Sequence, residues 1–276
     1  TASGDNSIRI WDVAGETQSF VAELKGHEGP VWQVSWAHPK FGNILASCSY
    51  DKRILIWREM KNGWQIIFKD ESHAASVNSI QFCPWEYGLV LAAASSDGSV
   101  SILTYGQSGA WGRKAIKAHQ NGANSVSWAP STSPAIMASG PAVHGAVLAP
   151  RRLVTGGCDN QVKIWQYDER TDEWIEQQHF QNAHTQWVRD VAWRPNVGIP
   201  SNTIASCSED QTVIIWTQEM EGQQWKQQGQ PLQLSSPVWR VSWSITGSIL
   251  AASSGDNMVT LFKETLNGGW EVVSSL

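Results

Sequence analysis

The sequence predicts an all-β fold in which one short unit of four strands is repeated six times. Three observations support this prediction. At six places along the 276 residues, an Asp precedes an aromatic residue or Leu by six positions. The segments around these pairs are runs of β-branched and aromatic residues, separated by turn sequences such as SYDK, SSDG and GCDN. No stretch shows sustained helical periodicity.

The repeated Asp marks a turn, and the residue six positions later lies in the strand that follows it. The intervals between successive Asp residues are 46, 46, 62, 51 and 46 positions. The six pairs are Asp5/Trp11, Asp51/Trp57, Asp97/Leu103, Asp159/Trp165, Asp210/Trp216 and Asp256/Phe262. Four short strands in about 46 residues are typical of a β-propeller blade. The sequence therefore predicts a six-bladed β-propeller.

The 17 Trp residues follow the same period. One aromatic series precedes each Asp from the second onward. Another lies seven to nine positions after the aromatic residue or Leu that is paired with each Asp. These two series are Trp36, Phe82, Trp128, Trp193 and Trp243, and then Phe20, Trp64, Trp111, Trp174, Trp225 and Trp270. In the second unit they predict strands A to D at 31–36, 44–48, 53–57 and 64–68.

The period also predicts the domain organisation, a single propeller over 1–276. Blade 1 is expected at 1–25, without its strand A and most of strand B, and blade 6 is expected to contain all four strands. The other boundaries are 26–70, 71–117, 118–182, 183–230 and 231–276. Blade 4 carries an insert at 131–150 that is rich in Ala, Ser, Pro and Gly. We expect this insert to be a flexible surface loop rather than a binding segment.

Three units carry a polar set of four residues at matching positions. The sets are His27, Ser47, Asp51 and Trp57; His119, Thr155, Asp159 and Trp165; and His184, Ser206, Asp210 and Trp216. A buried hydrogen-bond chain within each blade is expected, because buried polar groups need partners. A catalytic His–Asp–Ser site is the alternative, but an active site is not built three times over. Unit three keeps His73 but has Ala93 and Leu103, and unit six lacks the His.

Composition excludes several function classes. The net charge of −5, without a Lys/Arg-rich block, argues against nucleic acid as a partner. The apolar runs are far shorter than the roughly 20 residues of a membrane span. The four Cys form no C-x-x-C pair, so reduced thiols are expected. No metal cluster, nucleophile elbow or phosphate-binding loop is present, so we expect neither an enzyme nor a cofactor nor a metal.

Several segments closely resemble the Sec-thirteen family of WD-repeat proteins. They are GHEGPVWQVSWAHPKFGNILASCSYD at 26–51, GGCDNQVKIW at 156–165, WVRDVAW at 187–193 and PVWRVSWSITGSILAASSGDNMVTLFKE at 237–264. The resemblance implies an open six-bladed propeller that receives its seventh blade from a partner. It implies a scaffold role at the endoplasmic reticulum, in the COPII vesicle coat, and in the Y-complex of the nuclear pore. The implied partners are the large outer-coat subunit, an α-solenoid nucleoporin and a nutrient-signalling complex, with membranes contacted only through the coat.

The edges of blades 1 and 6 are the predicted partner site, because an uncovered β-edge favours added strands. Tight six-blade packing and homo-association remain alternatives. The candidate contact residues are Ile8, Ile10, Val238, Val241, Leu250, Val259 and Leu261. Other functional hypotheses are a WD-repeat adaptor that binds peptides on its top face, such as a ubiquitin-ligase substrate receptor, and a member of the related Seh nucleoporin family.

Overall fold

The computed structural model describes residues 1–15, 17–132, 148–180, 183–196 and 201–276. These residues form two compact units, Thr1–Ala123 and Asn124–Leu276. Most of the insert expected at 131–150 lies outside the described residues, and the organisation as one domain stays a prediction. In the described part of the chain, no helix is long and apolar enough to cross a membrane.

The first unit contains three antiparallel sheets, each with its strands in sequence order. The first sheet has two strands, β1 (Ser7–Asp12) and β2 (Ser19–Lys25). The second consists of β3 (Val31–Trp36), β4 (Ile44–Ser49), β5 (Ile54–Met60) and β6 (Gly63–Asp70). The third consists of β7 (Val77–Phe82), β8 (Val90–Ser95), β9 (Ser99–Tyr105) and β10 (Trp111–Lys117). Two single 3₁₀ turns, Pro39–Phe41 and Trp85–Tyr87, join strands A and B.

The second unit contains three more sheets of the same kind. Blade 4 consists of β11 (Ala123–Trp128), β12 (Arg152–Gly157), β13 (Val162–Asp168) and β14 (Glu173–Phe180). Blade 5 consists of β15 (Val188–Trp193), β16 (Asn202–Ser208), β17 (Thr212–Gln218) and the short β18 (Lys226–Gln227) and β19 (Leu232–Gln233). Blade 6 consists of β20 (Val238–Trp243), β21 (Ile249–Ser254), β22 (Val259–Glu264) and β23 (Trp270–Ser275).

The repeated Asp forms the turn that precedes strand C in all six sheets. Its Oδ1 accepts the N–H of the residue two positions later, as from Arg53 to Asp51 at 2.9 Å and from Ser99 to Asp97 at 2.8 Å. The residue directly after the Asp has a positive φ in every blade. These residues are Asn6, Lys52, Gly98, Asn160, Gln211 and Asn257. A short acceptor side chain before a left-handed residue is what such a turn requires, so the Asp repeats for a local reason.

The two aromatic series meet within blades 2, 4, 5 and 6. The strand A aromatic ring lies edge-on against the strand D ring, a favoured geometry for aromatic pairs. The pairs are Trp36–Trp64, Trp128–Trp174, Trp193–Trp225 and Trp243–Trp270, with ring centroids 5.4–5.7 Å apart. These contacts join the first and last strands of a sheet across the two strands between them.

Apolar side chains between neighbouring sheets form the core of each unit. In the first unit, Ile54 and Ile56 of blade 2 belong to the same buried cluster as Ile80 and Leu91 of blade 3. In the second, blades 4 and 5 share one such cluster, and blades 5 and 6 share another. A blade between two others is therefore apolar on both faces. The four Cys form no disulfide with one another.

Candidate partner-binding edge

The polar set of blade 2 forms a continuous hydrogen-bond chain. The indole N–H of Trp57 donates to Ser47 Oγ at 2.9 Å, and Ser47 Oγ lies 2.8 Å from His27 Nε2. His27 Nδ1 lies 2.8 Å from the carboxylate of Asp51, which only accepts, so Nδ1 carries the proton. The chain ties strands B and C to the segment before strand A.

The electrostatics of this chain suit a structural role. Burial lowers the pKa of His27 although the Asp51 carboxylate opposes that shift, so the imidazole stays neutral. Burial alone would raise the pKa of Asp51, but hydrogen bonds from the Glu28 N–H and His27 hold it below its ordinary value. Ser47 is 0% exposed, so no substrate reaches its hydroxyl. The arrangement joins strands and offers no nucleophile.

Blade 5 repeats this geometry. His184 lies 3.1 Å from Asp210 and 2.9 Å from Ser206, which accepts the indole N–H of Trp216 at 3.0 Å. In blade 4, the indole N–H of Trp165 donates to Thr155 Oγ1 at 3.0 Å. His119 is buried, and its backbone carbonyl lies against Gly98 in the strand B–C turn of blade 3.

Blade 3 keeps the His–Asp contact with a different hydroxyl. His73 lies 2.9 Å from Asp97, as in the other blades. Its Nε2 lies 2.6 Å from Ser101 Oγ on strand C. Ala93, at the strand B position that Ser47 holds in blade 2, has no hydroxyl to offer. Sequence reasoning missed Ser101 because it sought the hydroxyl four positions before the Asp. The available signal was a Ser between two apolar residues, Val100 and Ile102, of strand C.

A second set of polar contacts joins neighbouring blades through their strands A. In the first unit, Gln33 Oε1 accepts the N–H of Ile80 at 2.8 Å, and Ser35 Oγ accepts the N–H of Phe82 at 3.1 Å. Gln33 and Ser35 are the third and fifth residues of β3. Ile80 and Phe82 are the fourth and sixth residues of β7. Side chains of one blade thus satisfy the free backbone edge of the next.

The same rule holds at both junctions within the second unit. At the first, Ser125 Oγ accepts from Val191 at 3.2 Å, and Ser127 Oγ accepts from Trp193 at 3.1 Å. At the second, Asp190 Oδ2 accepts the N–H of Val241 at 3.1 Å. Ala192 at the fifth position has no polar side chain, and its backbone carbonyl accepts the indole N–H of Trp243 instead.

The far face of blade 6 is an uncovered copy of an inter-blade surface. In blade 5, the corresponding face is formed by Ala205, Val213 and Ile215, which are 0–2% exposed because blade 6 covers them. By strand register, the equivalent residues of blade 6 are Ala251, Val259 and Leu261. All three are partly exposed.

Comparisons with known proteins place this architecture in a family. The family model described as "WD domain, G-beta repeat" matches residues 18–58, 113–166, 175–217 and 227–263, more than half of the chain. "Protein SEC13 homolog" of Drosophila melanogaster is 48% identical over 273 residues, which cover 98% of this chain and 75% of that relative. The chain belongs to the SEC13 family.

Two fungal members of the SEC13 family are similar over the whole chain. "Protein transport protein SEC13" of Mycosarcoma maydis is 41% identical across 100% of this chain and 88% of its own length. "Protein transport protein sec13" of Emericella nidulans is 46% identical across 100% and 90%. The resemblance found in the sequence is thereby confirmed, as is the expected fold class of an all-β WD-repeat β-propeller with six blades.

For this SEC13 family member, the structure places three of the predicted contact residues in the interior of the second unit. Val238, Val241 and Leu250 are buried in the cluster shared with blade 5. Val259 and Leu261 lie on the opposite, uncovered face of blade 6. Of the blade 6 candidates, these two are accessible to another protein.

The two candidates in blade 1 are directed toward blade 2. Ile8 is buried in a cluster with Leu45 and Leu55, and Ile10 packs against that cluster. Between them in sequence lies Arg9, which pairs with Asp5 at 2.6 Å. Contact of these residues with a partner stays a prediction. No group of three or more His, Cys, Asp or Glu side chains that could hold a metal occurs in the described part of the chain.

Proposed function

We propose that this protein is a non-enzymatic scaffold subunit that binds its partner by receiving one further β-blade. The observation that carries this proposal is the far face of blade 6. It has the residue pattern of the buried faces within the chain, yet its Val259 and Leu261 side chains are accessible. An incoming sheet would bury this apolar surface, worth about 25 cal/mol per Å² removed from water.

The proposed setting is protein transport, the function that the names of the fungal relatives state for those proteins. The partner is then the large outer-coat subunit of the COPII vesicle coat at the endoplasmic reticulum. An α-solenoid nucleoporin of the Y-complex at the nuclear envelope, or a nutrient-signalling complex, would use the same surface. Membranes would be reached through the assembled coat.

Affinity purification of the tagged chain from eukaryotic cells, with mass spectrometry and cross-linking, tests the proposal. We expect the recovered partner to cross-link beside β22, and Val259→Lys to abolish recovery because it places a charge in the new apolar interface. The matched control is Val272→Lys, the same exchange on β23, the outermost strand of the same sheet, where the valine is already exposed. Equal recovery with Val259→Lys and wild type contradicts the proposal.

The same experiment separates strand addition from peptide binding on the top face. Trp187 and Trp239 are exposed, with the Arg189 guanidinium 5.1 Å and 5.0 Å from their rings. If alanine at these two Trp positions removes the partner and Val259→Lys does not, the partner binds at the exposed tryptophans and not by blade addition.

A further inference from the structure

One residue at the uncovered edge of blade 6 departs from the pattern of hydrogen bonds between neighbouring blades. The third residue of strand A is an acceptor at the three junctions described above: Gln33 between blades 2 and 3, Ser125 between blades 4 and 5, and Asp190 between blades 5 and 6. In blade 6 this position is held by Arg240. A guanidinium has five N–H donors and no acceptor. Ser242, at the fifth position, keeps the hydroxyl found at Ser35 and Ser127.

Arg240 therefore cannot receive a backbone N–H from an incoming strand A. The edge of such a strand presents an N–H at its fourth residue, as Ile80, Val191 and Val241 show. Opposite Arg240 this would place donor against donor. A partner strand needs an additional acceptor at this point, or both groups stay unsatisfied in the interface.

Burial makes this requirement strong. Of the third-position residues that a next blade covers, Ser125 is 1% and Asp190 7% exposed, and Gln33 is partly exposed. Arg240 is exposed. Covering an unpaired guanidinium is unfavourable, and only well-placed acceptors offset the loss of its hydration.

The chain itself does not provide these acceptors. Among the described residues, no side chain or carbonyl forms a hydrogen bond or an ion pair within 4 Å with the Arg240 guanidinium. Asp190 is its acidic neighbour across the blade junction, but that carboxylate is already engaged. Its Oδ1 accepts from Ser125 and from the N–H of Val191, and its Oδ2 accepts from the N–H of Val241.

Asp190 also shows which partner chemistry solves the problem. It is the third residue of its own strand A, and its carboxylate accepts the N–H of the fourth residue, Val191, at 3.0 Å. A carboxylate at the third position thus satisfies its own strand's N–H and keeps a second oxygen for a neighbour. A carboxylate also matches the planar donor fork of a guanidinium.

We propose that Arg240 determines which blade this protein accepts, by pairing with an Asp or Glu at the third position of the incoming strand A. The inference rests on the proposed function and adds the chemical identity of the partner strand. The uncovered edge of blade 6 then recognises one acidic side chain, within an interface that is otherwise formed by apolar side chains and backbone hydrogen bonds.

The test uses the full chain in complex with the partner recovered by affinity purification. Dissociation constants are measured for wild type, Arg240→Glu and Arg240→Gln, at low and high salt. Arg240→Glu should weaken binding by roughly 30-fold or more, the lower end of the loss for one partner of a buried charge pair. The matched control is Arg170→Glu in the β13–β14 turn, where the side chain is 92% exposed, and it should leave binding unchanged.

A specificity exchange completes the test. Replacing the facing acid of the partner by Ala should weaken binding to wild type by the same factor. Arg240→Gln supplies an acceptor like that of Gln33, so it should bind this partner variant within about 3-fold of the original partner. Thermal unfolding of each free variant checks that it folds.

The outcomes distinguish the two proposals. The role of Arg240 is overturned, and blade addition stands, if Val259→Lys abolishes binding while Arg240→Glu binds as well as wild type. The same conclusion follows if no acidic residue of the partner cross-links beside Arg240. If Val259→Lys has no effect, blade addition itself is wrong, and the role of Arg240 falls with it.

Discussion

Removing the hydroxyl of Ser47 is the most direct test of the buried chain in blade 2. The Ser47→Ala variant leaves the indole N–H of Trp57 and Nε2 of His27 without their shared partner, 2.9 Å and 2.8 Å away. Both side chains are buried, so water does not replace it. Each unsatisfied buried group costs about 1–3 kcal/mol, and we expect a combined loss of about 2–4 kcal/mol.

Thermal unfolding followed by Trp fluorescence measures this loss. For a chain of 276 residues, 1 kcal/mol corresponds to roughly 2 °C in Tm, so Ser47→Ala should lower Tm by about 4–8 °C. Ser47→Thr is the conservative control, because Thr155 serves Trp165 at the same position of blade 4. It should lose clearly less than the alanine variant.

A graded comparison comes from blade 3. Ser101→Ala leaves only His73 Nε2 without a partner, since Leu103 takes the place of the Trp. Its loss should be about half that of Ser47→Ala. A Tm change below about 1 °C for Ser47→Ala, or an equal loss for Ser47→Thr, would refute the reasoning that the hydroxyl holds the blade together.

Three further perturbations probe other parts of the molecule. Burial lowers the pKa of His27 from its ordinary 6.5, so as the pH falls below 6.5 the unfolded chain binds a proton before the folded chain does. The urea midpoint should therefore stay constant above pH 6.5 and fall below it, and the fall should be less steep in His27→Gln. Gly98→Ala should unfold at lower temperature than wild type, since its Cβ would collide with the carbonyl oxygen of His119 and Gly98 has a positive φ; an unchanged Tm contradicts this. Asp190→Ala removes the acceptor of the Val241 N–H and should lower the free energy of unfolding by about 2–4 kcal/mol in urea titrations, whereas no loss would show that this contact is not needed.

The features that sequence reasoning predicted well are local ones. An Asp that accepts the N–H two positions later, before a left-handed residue, needs only a few adjacent residues, so its period is visible in the sequence. Strand boundaries followed closely: strand B of blade 2 was expected at 44–48 and is found at Ile44–Ser49. Strand C, expected at 53–57, begins one residue later and extends to Met60.

Features that depend on neighbouring sheets could not be predicted in this way. A blade between two others is apolar on both faces, so alternation along β21 and β22 does not say which face meets blade 5 and which is left uncovered. Leu250 and Leu261 have the same hydropathy but lie on opposite sides of the sheet. The contacts from Gln33 to Ile80 and from Asp190 to Val241 span 47 and 51 positions, and no local spacing indicates them.

The contacts between strands A also give the row of blades a direction. At the junctions of blades 2 and 3, 4 and 5, and 5 and 6, the earlier blade provides the side-chain acceptors and the later blade the backbone N–H groups, so the leading edge of one blade fits only the trailing edge of another. Two copies of this protein related by a two-fold axis at blade 6 would bring leading edge to leading edge. Arg240 would then face Arg240, and the Val241 N–H of each copy would already be in use by Asp190 of its own chain. The asymmetry that suits this edge to the proposed incoming blade thus disfavours its use for self-association.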